Sequence, residues 1–317
     1  MTKTSNKEAV RYVEVDESRE GQRLDNFLVG QLKGIPKSHI YRVLRRGEVR
    51  VNSGRATPDY RLHAGDRVRI PPLRQSERQA TVDPNRYRWL RERLLYEDDD
   101  LLVLDKPAGL PVHGGSGVAV GVIEALRAVC EDARDLDLVH RLDRGTSGCL
   151  LVAKRRAALL VLHKMLRDGK IEKRYLALVR GRWRGGARHI SAPLEHERTR
   201  SGERHVDVGP EGRAAESRFE PKGFYGPTTL VEVRLYTGRM HQARVHALHA
   251  GHPIAGDDKY GDREFNRELR PVGLRRLFLH AASLRFAHPV TGAKIEVKST
   301  LPAELAAVLE RLREPGV

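Results

Sequence analysis

The nine residues from His140 to Gly148, HRLDRGTSG, set one carboxylate among cations and beside a turn of small residues. An aspartate that acts as a nucleophile or a base must stay ionised inside a cleft, and neighbouring cations favour its charged form. Arg141 and Arg144 are close enough in sequence to do this for Asp143. Gly145–Gly148 predict a tight polar bend with room for a bulky group to approach the backbone. The pattern favours a reaction site, and a solvated basic turn between two strands is the alternative.

The run that follows, CLLVAK over Cys149–Lys154, is typical of a buried strand and would mount the loop on a rigid element. Further β-rich runs follow Leu94, namely LLVLDK, RYLALVRG, TLVEVRLY, LFLHAASLRF and KIEVKS. Helical patterns occur at 122–129, 158–166, 240–249 and 303–312. Since the strands outnumber the helices and do not alternate with them regularly, the sequence predicts a mixed, mainly antiparallel α+β domain over 94–317.

The first third of the chain predicts a flexible polar tail over 1–18 and a compact small α+β domain over 19–73. Apolar residues at helical spacing predict two short helices, with the buried faces Leu24, Phe27, Leu28 and Leu32 in the first and Ile40, Val43 and Leu44 in the second. Short strands follow around the Asn52–Gly54 turn. The arginine-rich stretch 74–93 lacks clear periodicity and is interpreted as a basic linker.

The chain is strongly basic, with 58 Lys and Arg against 42 Asp and Glu and a formal charge of +16 over 317 residues. A positive field of this size favours a polyanionic partner, and nucleic acid is the common one inside a cell. A membrane surface is the competing polyanion, but no stretch approaches the roughly 20 apolar residues of a membrane span. Without the apolar core of a signal peptide at the N-terminus, a cytoplasmic protein is expected.

HRLDRGTSG resembles the catalytic motif of the RluA-type pseudouridine synthases, and the similarity continues in KRYLALVRG and in TGRMHQARVHALHAGHPIAGDDKYGD. The amino-terminal unit resembles the small RNA-binding domain of the S-four type, which precedes the catalytic domain in many such enzymes. Within the family, segments such as EGQRLDNFL, KSHIYRVLRRGEVRVN and RLFLHAASLRF are most similar to members that modify uridines of 23S ribosomal RNA. The resemblance implies an isomerase that converts specific uridines of that RNA to pseudouridine.

The resemblance also implies roles for three residues. Asp143 corresponds to the essential carboxylate, which either attacks ribose C1′ as a nucleophile or removes a proton at C2′. Neither route needs a cofactor. Arg244 corresponds to the arginine that pairs with this aspartate, and a bidentate guanidinium would hold it charged and oriented. Tyr175 corresponds to the tyrosine that contacts the target uracil and assists loss of the C5 proton, although in an alternating strand a tyrosine is more typical of the core.

A target base inside structured RNA must leave its stack before it can react. The family arginine that takes part in this step, or contacts phosphate, corresponds to Arg141. On the second helix of the small domain, four cations lie off the apolar stripe and would face phosphate or solvent together, namely Lys37, Arg42, Arg45 and Arg46. The expected partner is 23S ribosomal RNA or a large-subunit assembly intermediate, bound by a monomer.

Three other functions remain open. The chain could modify another RNA such as a transfer RNA, it could be a non-catalytic ribosome-assembly factor that clamps RNA, or it could be an RNA hydrolase that uses Asp143 with His140. A clamp does not need Asp143, Tyr175 and Arg244 together, which speaks against the second function.

The histidine-rich third motif raises the question of a metal site at His241, His246, His249 and His252. No carboxylate lies between His246 and His249 as in an HExxH pair, so the sequence predicts no metal there. This motif departs from the family pattern at Met240 and Ala243, which puts a uracil contact by residue 243 in doubt.

Overall fold

The computed structural model describes residues 10–32, 35, 37–73, 82–114, 120–130, 136–198 and 204–313. The chain forms two compact units, residues 1–81 and 82–317, and the division falls within the predicted linker. We call them the small unit and the large unit. No helix in the described ranges has the length and apolar character that crossing a bilayer requires.

The small unit contains two helices and one four-stranded antiparallel sheet. Its elements are β1 (Arg11–Glu14), a 3-10 helix (Glu17–Arg19), α1 (Leu24–Gln31), α2 (Lys37–Arg45), β2 (Arg50–Val51), β3 (Gly54–Arg55) and β4 (Arg67–Ile70), with strand order β1-β4-β2-β3. All seven residues of the predicted apolar helix faces are buried in one core. Asn52 and Ser53 have positive φ, which the tight turn between β2 and β3 requires.

The tail predicted over 1–18 is too long. Residues Arg11–Glu14 pair with β4, and Val15 is buried in the core of the small unit. The strand was missed because it lies at the sheet edge, where Arg11 and Glu14 are exposed and the apolar alternation is weak.

The large unit is built on one long mixed sheet. Its elements are α3 (Pro84–Tyr87), a 3-10 helix (Arg88–Arg93), β5 (Leu94–Glu97), β6 (Leu101–Lys106), α4 (Val122–Val129), β7 (Asp137–Leu138), β8 (Ser147–Ala153), α5 (Arg156–Arg167), β9 (Glu172–Arg180), β10 (Arg188–Ser191), β11 (Leu194–Arg198), β12 (Arg204–Val208), β13 (Glu216–Tyr225), β14 (Thr228–Leu235), α6 (Gln242–His249), α7 (Arg263–Glu268), β15 (Leu279–Ala287), β16 (Lys294–Lys298) and α8 (Ala303–Arg313). The main order is β10-β13-β14-β9-β15-β8-β6-β5, with β16 beside β15, β7 beside β8, and β11 paired with β12. Only β8 and β15 pair in parallel among the described strands, which confirms the predicted mainly antiparallel α+β class.

The second half of the predicted linker belongs to the large unit instead. The side chain of Asp83 caps α3 by accepting the Asn85 N–H, with Pro84 at the first helical position. Leu90, in the following 3-10 helix, is fully buried in the main core. The surrounding arginines obscured the helix start at Asp83–Pro84 and the buried Leu90 in the sequence. Residues 74–81 of the predicted linker lie outside the described ranges.

The six predicted β-rich runs and four helical patterns all correspond to elements of the large unit. The sequence missed β13, which contains Pro221 and Gly223 and changes register between them, because both residues are normally depleted in strands. It also missed α7, although Asp262 caps that helix by accepting the Phe265 N–H.

Candidate active site

The loop that carries Asp143 joins β7 to β8, and its first residue is fixed to the sheet. The N–H of Leu151, on β8, donates to His140 Nε2 at 3.0 Å. Burial, and then the charge of Lys173, lower the pKa of His140 to about 3, so the ring is neutral at physiological pH. His140 therefore anchors the loop, while the Asp143 side chain at the following turn keeps 25% of its surface exposed.

A buried lysine links this loop to the loop that follows β6 through hydrogen bonds. Lys106 is fully buried, and its Nζ donates to the carbonyls of Pro107 and Leu110 at 2.8 Å and of Arg144 at 3.3 Å. The backbone of Gly109 adds a second connection, since its N–H donates to the Arg144 carbonyl at 2.7 Å. Burial lowers the pKa of Lys106 to about 7, although the charge of Asp143 acts in the opposite direction.

Replacing Lys106 with methionine is expected to weaken the connection between the two loops. The variant leaves the Pro107 and Leu110 carbonyls without this buried donor and the Arg144 carbonyl with the Gly109 N–H alone, which predicts a loss of about 2–4 kcal/mol in the free energy of unfolding. Chemical denaturation measures the loss, with the exposed Lys170→Met as the matched control. Equal stability of the two variants would contradict the role of Lys106.

The small residues of the loop allow close packing against the sheet and do not leave open space for a ligand. Gly148 has φ +105°, and a Cβ there would lie 2.2 Å from the Ala281 carbonyl oxygen on β15. Thr146 and Ser147 are buried. The room predicted around Gly145–Gly148 is thus filled at its second half by the neighbouring strand, because the parallel join of β8 and β15 brings the two backbones together.

Asp143 is paired with a cation from α6, more than 100 residues along the chain. Arg244 Nη1 donates to Asp143 Oδ2 at 3.1 Å. The same guanidinium makes two bonds of 2.7 Å to Asp257, from Nε to Oδ2 and from Nη2 to Oδ1. The Asp257 side chain is fully buried and also accepts the N–H groups of Lys259 and Tyr260. The guanidinium is thereby fixed in its orientation toward Asp143.

The charges in this group stabilise one another. Burial lowers the pKa of Arg244, but the hydrogen bonds and charge of Asp257, followed by Asp143, raise it overall. Burial likewise raises the pKa of Asp257, and the bonds and charge of Arg244 outweigh that effect and lower it. Both groups are therefore charged around neutral pH, with two carboxylates on one guanidinium.

Tyr175 lies in the sheet beside the loop of Asp143. It is opposite Ala281 on β15, and Ala281 in turn is opposite Gly148 on β8. The ring is 6% exposed and belongs to the main core. Burial, and then the charge of Asp143, raise the pKa of its phenol, so Tyr175 is neutral at physiological pH. Tyr175 is thus both a core residue and a neighbour of Asp143.

The second oxygen of Asp143 faces a histidine. His241 Nε2 is 3.9 Å from Asp143 Oδ1, and His241 Nδ1 is 2.8 Å from the Tyr260 hydroxyl. Tyr260 is buried, the Arg244 guanidinium lies 4.9 Å from its ring centre, and its hydroxyl oxygen accepts the Val206 N–H at 3.1 Å.

A buried glutamine holds the turn before α6 in place. Gln242 Oε1 accepts the Thr237 hydroxyl at 2.7 Å and the Arg239 N–H at 3.0 Å. Its amide donates to the Glu216 carbonyl and the Ser217 hydroxyl, both at 2.9 Å. The turn is thereby tied to β13. Ala243, one of the two departures from the family pattern, is buried in the same core as Tyr175.

Comparison with known proteins decides the family. Residues 100–249 match the family model described as RNA pseudouridylate synthase, and residues 22–68 match the S4 domain. A relative from Escherichia coli named ribosomal large subunit pseudouridine synthase C is 53% identical, with 96% of this chain and 97% of the relative covered. The chain belongs to the RNA pseudouridine synthase family. A protein of the same name from Pasteurella multocida is 51% identical over 97% of this chain and 95% of its own.

Two solved structures of the family resemble most of this chain. The human RNA pseudouridylate synthase domain containing 4 matches with a TM-score of 0.60 at 25% identity, covering 73% of this chain and 96% of its own. The human domain containing 1 matches with a TM-score of 0.53 at 26% identity, covering 69% and 94%. The chain is therefore an RNA pseudouridine synthase with an amino-terminal S4 domain, as the motifs predict.

The cations expected to contact RNA differ in their surroundings. Arg141 is exposed, and its side chain has no hydrogen bond or ion pair within the described part of the synthase. Arg144 is also exposed, and its Nε donates to the Gly109 carbonyl at 2.9 Å. The cation in contact with Asp143 is thus Arg244. Arg141 and Arg144, which the local sequence favoured, form no ion pair with Asp143 in the part of the chain that the structure describes.

The predicted cationic face of the S4 domain lies on α2. Arg42, Arg45 and Arg46 are exposed on the side opposite the buried Ile40, Val43 and Leu44. Lys37 begins the helix, and its side chain lies outside the described residues. A polar cavity of about 600 Å³ adjoins Arg46 and is lined by further cations of the sheet, namely Arg50, Arg67 and Arg69.

Three histidines of the third motif, His241, His246 and His252, have hydrogen-bond partners within the protein. His246 Nδ1 lies 3.0 Å from the Ser217 hydroxyl and its Nε2 lies 3.0 Å from the Ala192 carbonyl. Within the described ranges, three potential ligands come together only at Asp98, Asp100 and His288.

That group is held by hydrogen bonds. His288 Nδ1 accepts the N–H groups of Val290 and Thr291, so its proton is on Nε2, which donates to Asp98 Oδ2 at 3.0 Å.

Sequence reasoning did not single out Asp257, Tyr260, Lys106 or Lys173. The first two lie in GDDKYGD, which was included in the third motif only as a string. Lys173 begins the second motif, is 6% exposed, and donates from Nζ to the Thr237 carbonyl at 3.2 Å. Burial lowers its pKa to about 8. The signal available for Lys106 and Lys173 was weak, because each lysine lies at the end of an apolar strand pattern and next to another charged residue.

Proposed function

We propose that this synthase converts specific uridines of large-subunit ribosomal RNA to pseudouridine and that Asp143 is the carboxylate that reacts. The observation that supports this role is the ion pair of Asp143 with Arg244, which Asp257 holds from its other side. Arg244 occupies one oxygen of Asp143, Oδ2. The other oxygen, Oδ1, is left to act on the substrate.

The reaction needs a carboxylate and two proton transfers. The bond from ribose C1′ to uracil N1 breaks, a bond from C1′ to C5 forms, a proton leaves C5 and N1 gains one. Oδ1 of Asp143 either forms a transient bond to C1′ or removes the C2′ proton, and both routes start from the ionised carboxylate. Arg244, whose guanidinium is charged throughout the accessible pH range, donates a hydrogen bond to the other carboxylate oxygen, Oδ2, and so orients Oδ1.

Tyr175 is the proposed contact for the uracil ring. Its phenol keeps its proton at neutral pH, so it offers an aromatic surface and a hydroxyl donor rather than a phenolate base. The position of the side chain is fixed by the main core, in which Tyr175 is buried. An aromatic surface retains the base while it turns from N1 to C5 attachment.

Other cations are the proposed contacts for the RNA backbone. We propose that Arg141, exposed beside Asp143, contacts phosphate or fills the stack that the flipped uridine leaves. Lys37, Arg42, Arg45 and Arg46 of the S4 domain supply phosphate contacts that position the RNA without selecting a sequence.

Changing Arg42, Arg45 and Arg46 together to alanine is expected to weaken RNA binding and flatten its salt dependence. Each phosphate contact that is lost reduces the number of counterions released when RNA binds. The slope of log K against log salt therefore becomes less steep by about 0.7–0.9 per contact. Filter binding across a salt series measures this. The control removes the same charge from exposed residues at α5, Lys164, Arg167 and Lys170. Equal slopes for the two triple variants would mean that the α2 face is only solvated.

The substrate is tested by tritium release from RNA labelled at uracil C5. The enzyme, without added metal or cofactor, is incubated separately with large-subunit rRNA, small-subunit rRNA and transfer RNA. Release from the large-subunit RNA alone supports the proposal, and release from transfer RNA alone overturns it in favour of the alternative substrate. Running the same products on a denaturing gel tests the hydrolase alternative through strand scission. The neutral, hydrogen-bonded His140 does not favour that reaction.

The name of the relatives supports the choice of large-subunit RNA. Since ribosomal RNA is the proposed substrate, we also propose that the enzyme works in the cytoplasm on free RNA or an assembly intermediate. A monomer is expected, and light scattering at working concentration tests it.

A further inference from the structure

Two residues beside Asp143 have no part in the mechanism above. His241 precedes α6 and directs Nε2 toward Asp143 Oδ1 at 3.9 Å, on the side that Arg244 does not occupy. Tyr260 follows the buried Asp257 and lies 2.8 Å from His241 Nδ1. Their rings meet edge to face, with centroids 5.4 Å apart. The His241 side chain keeps 17% of its surface exposed and the Asp143 side chain 25%, so neither is closed off from solvent.

The surroundings of the Tyr260 hydroxyl determine where His241 carries its proton. Val206 N–H donates to the hydroxyl oxygen at 3.1 Å, so the hydroxyl hydrogen has to find an acceptor of its own. Within the described ranges, the acceptor in hydrogen-bond reach of that buried hydroxyl is His241 Nδ1. If Nδ1 carried the proton, the hydroxyl hydrogen would be buried without a partner. The neutral ring therefore has its proton on Nε2, the nitrogen that faces Asp143.

The backbone of His241 is held in an uncommon conformation that gives the ring this position. Its φ of +56° is left-handed, which costs about 1 kcal/mol or more for a residue other than glycine. His241 occupies the cap position of α6, but its side chain makes no capping hydrogen bond. The side chain is thus directed toward Asp143 and Tyr260 and not to the helix end.

A gap remains between this donor and the carboxylate. The 3.9 Å from Nε2 to Oδ1 is too long for a hydrogen bond, and 3.2 Å is about the usual limit. A substrate oxygen next to Oδ1 would be within reach of the Nε2–H.

We infer that His241 is a further residue of this active site, whose Nε2–H donates a hydrogen bond to an oxygen of the bound uridine beside Asp143. Tyr260 is the positioning residue that sets the tautomer of His241. The inference rests on the proposed role of Asp143 as the reacting carboxylate. The acceptor is an oxygen of the target nucleotide, either the ribose 2′-oxygen or a uracil carbonyl, since both belong to the group that reacts at Asp143.

Substitutions at the two residues test the donor by single-turnover tritium release from labelled large-subunit rRNA, with RNA affinity measured in parallel. Asparagine tolerates the left-handed backbone but is too short to place a donor at the Nε2 position. His241→Asn is therefore expected to lower the rate about 10–100-fold with RNA affinity changed less than threefold. His241→Gln, whose amide reaches further, is expected to recover most of that loss. Tyr260→Phe keeps the ring but loses the hydroxyl, and a 3–10-fold loss is expected.

The control is His249→Asn, an exposed histidine of the same helix, which is expected to retain the wild-type rate. A rate for His241→Asn within twofold of the wild type would overturn the inference, as would equal losses for the asparagine and glutamine variants.

Nitrogen-15 NMR of histidine-labelled enzyme tests the tautomer without any substrate. The expected spectrum has an unprotonated Nδ1 and a protonated Nε2 for His241, assigned by its absence in His241→Asn, and a mixture of tautomers in Tyr260→Phe. A protonated Nδ1 in the wild type overturns the inference. Activity that survives in Asp143→Asn, or no release by the wild type, would instead reject the proposed function, and the NMR result would still decide the tautomer.

Discussion

Asp143→Asn is expected to bind RNA with wild-type affinity and form no detectable pseudouridine. An amide can neither attack C1′ nor take the C2′ proton, so the rate is expected to fall by at least about 10⁴-fold. The fold should survive because Asp257 still neutralises Arg244 with two hydrogen bonds, so the substitution leaves no buried cation without a partner.

The measurement is tritium release from large-subunit rRNA, together with filter binding and a denaturation curve. Asp99→Asn is the matched control because Asp99 is exposed in the same unit. Residual activity of Asp143→Asn within a hundredfold of the wild type would reject Asp143 as the reacting group. Loss of RNA binding in the variant would show that the substitution disturbs more than chemistry.

Asp257→Asn is expected to lower both stability and activity. It removes the buried carboxylate that holds Arg244, and breaking such a pair from one side costs about 3–5 kcal/mol in the free energy of unfolding. The guanidinium can then turn away from Asp143 Oδ2, and a loss of about 10²–10³-fold in the rate is expected, since small errors in orientation have large effects on catalysis.

Asp258→Asn makes the same chemical change at the next residue, which is exposed, and is expected to alter neither quantity. Assays are run at a temperature at which denaturation curves show every variant folded, so that the loss of rate is not a loss of folded enzyme. In the Asp143→Asn background, Asp257→Asn should still destabilise the protein. A normal rate in a folded Asp257→Asn enzyme would mean that Arg244 needs no partner beyond Asp143.

The sequence predicted the residues of the site better than their supports. Asp143, Tyr175 and Arg244 come from three separate motifs, and the structure brings them to one place although their roles remain proposals. Asp257 was not singled out because its pairing with Arg244 depends on the path of the chain after α6, which no spacing rule describes. Arg141 and Arg144, the cations that local sequence favoured, form no ion pair with Asp143 in the described ranges, whereas Arg244, which the family resemblance implied, does.

The fold was predictable where burial is continuous and not where it is partial. The buried runs of β6 and β8 and the apolar faces of α1 and α2 were found because many neighbouring side chains share one environment. The edge strand β1 and the strand β13, with Pro221 and Gly223, were missed. Their pairing partners, rather than their own composition, hold them in the sheet.

The parallel join of β8 and β15 constrains when the enzyme becomes active during its synthesis. Ser147 and His280 are 133 residues apart and share a hydrogen bond of 3.0 Å, so the strand that carries the Asp143 loop lacks this neighbour until most of the chain has emerged from the ribosome. Contacts of such sequence separation form late and slow folding. The S4 domain, with its own core near the N-terminus, can fold and hold RNA earlier. We therefore expect a nascent chain to acquire RNA affinity well before it acquires the ability to modify a base.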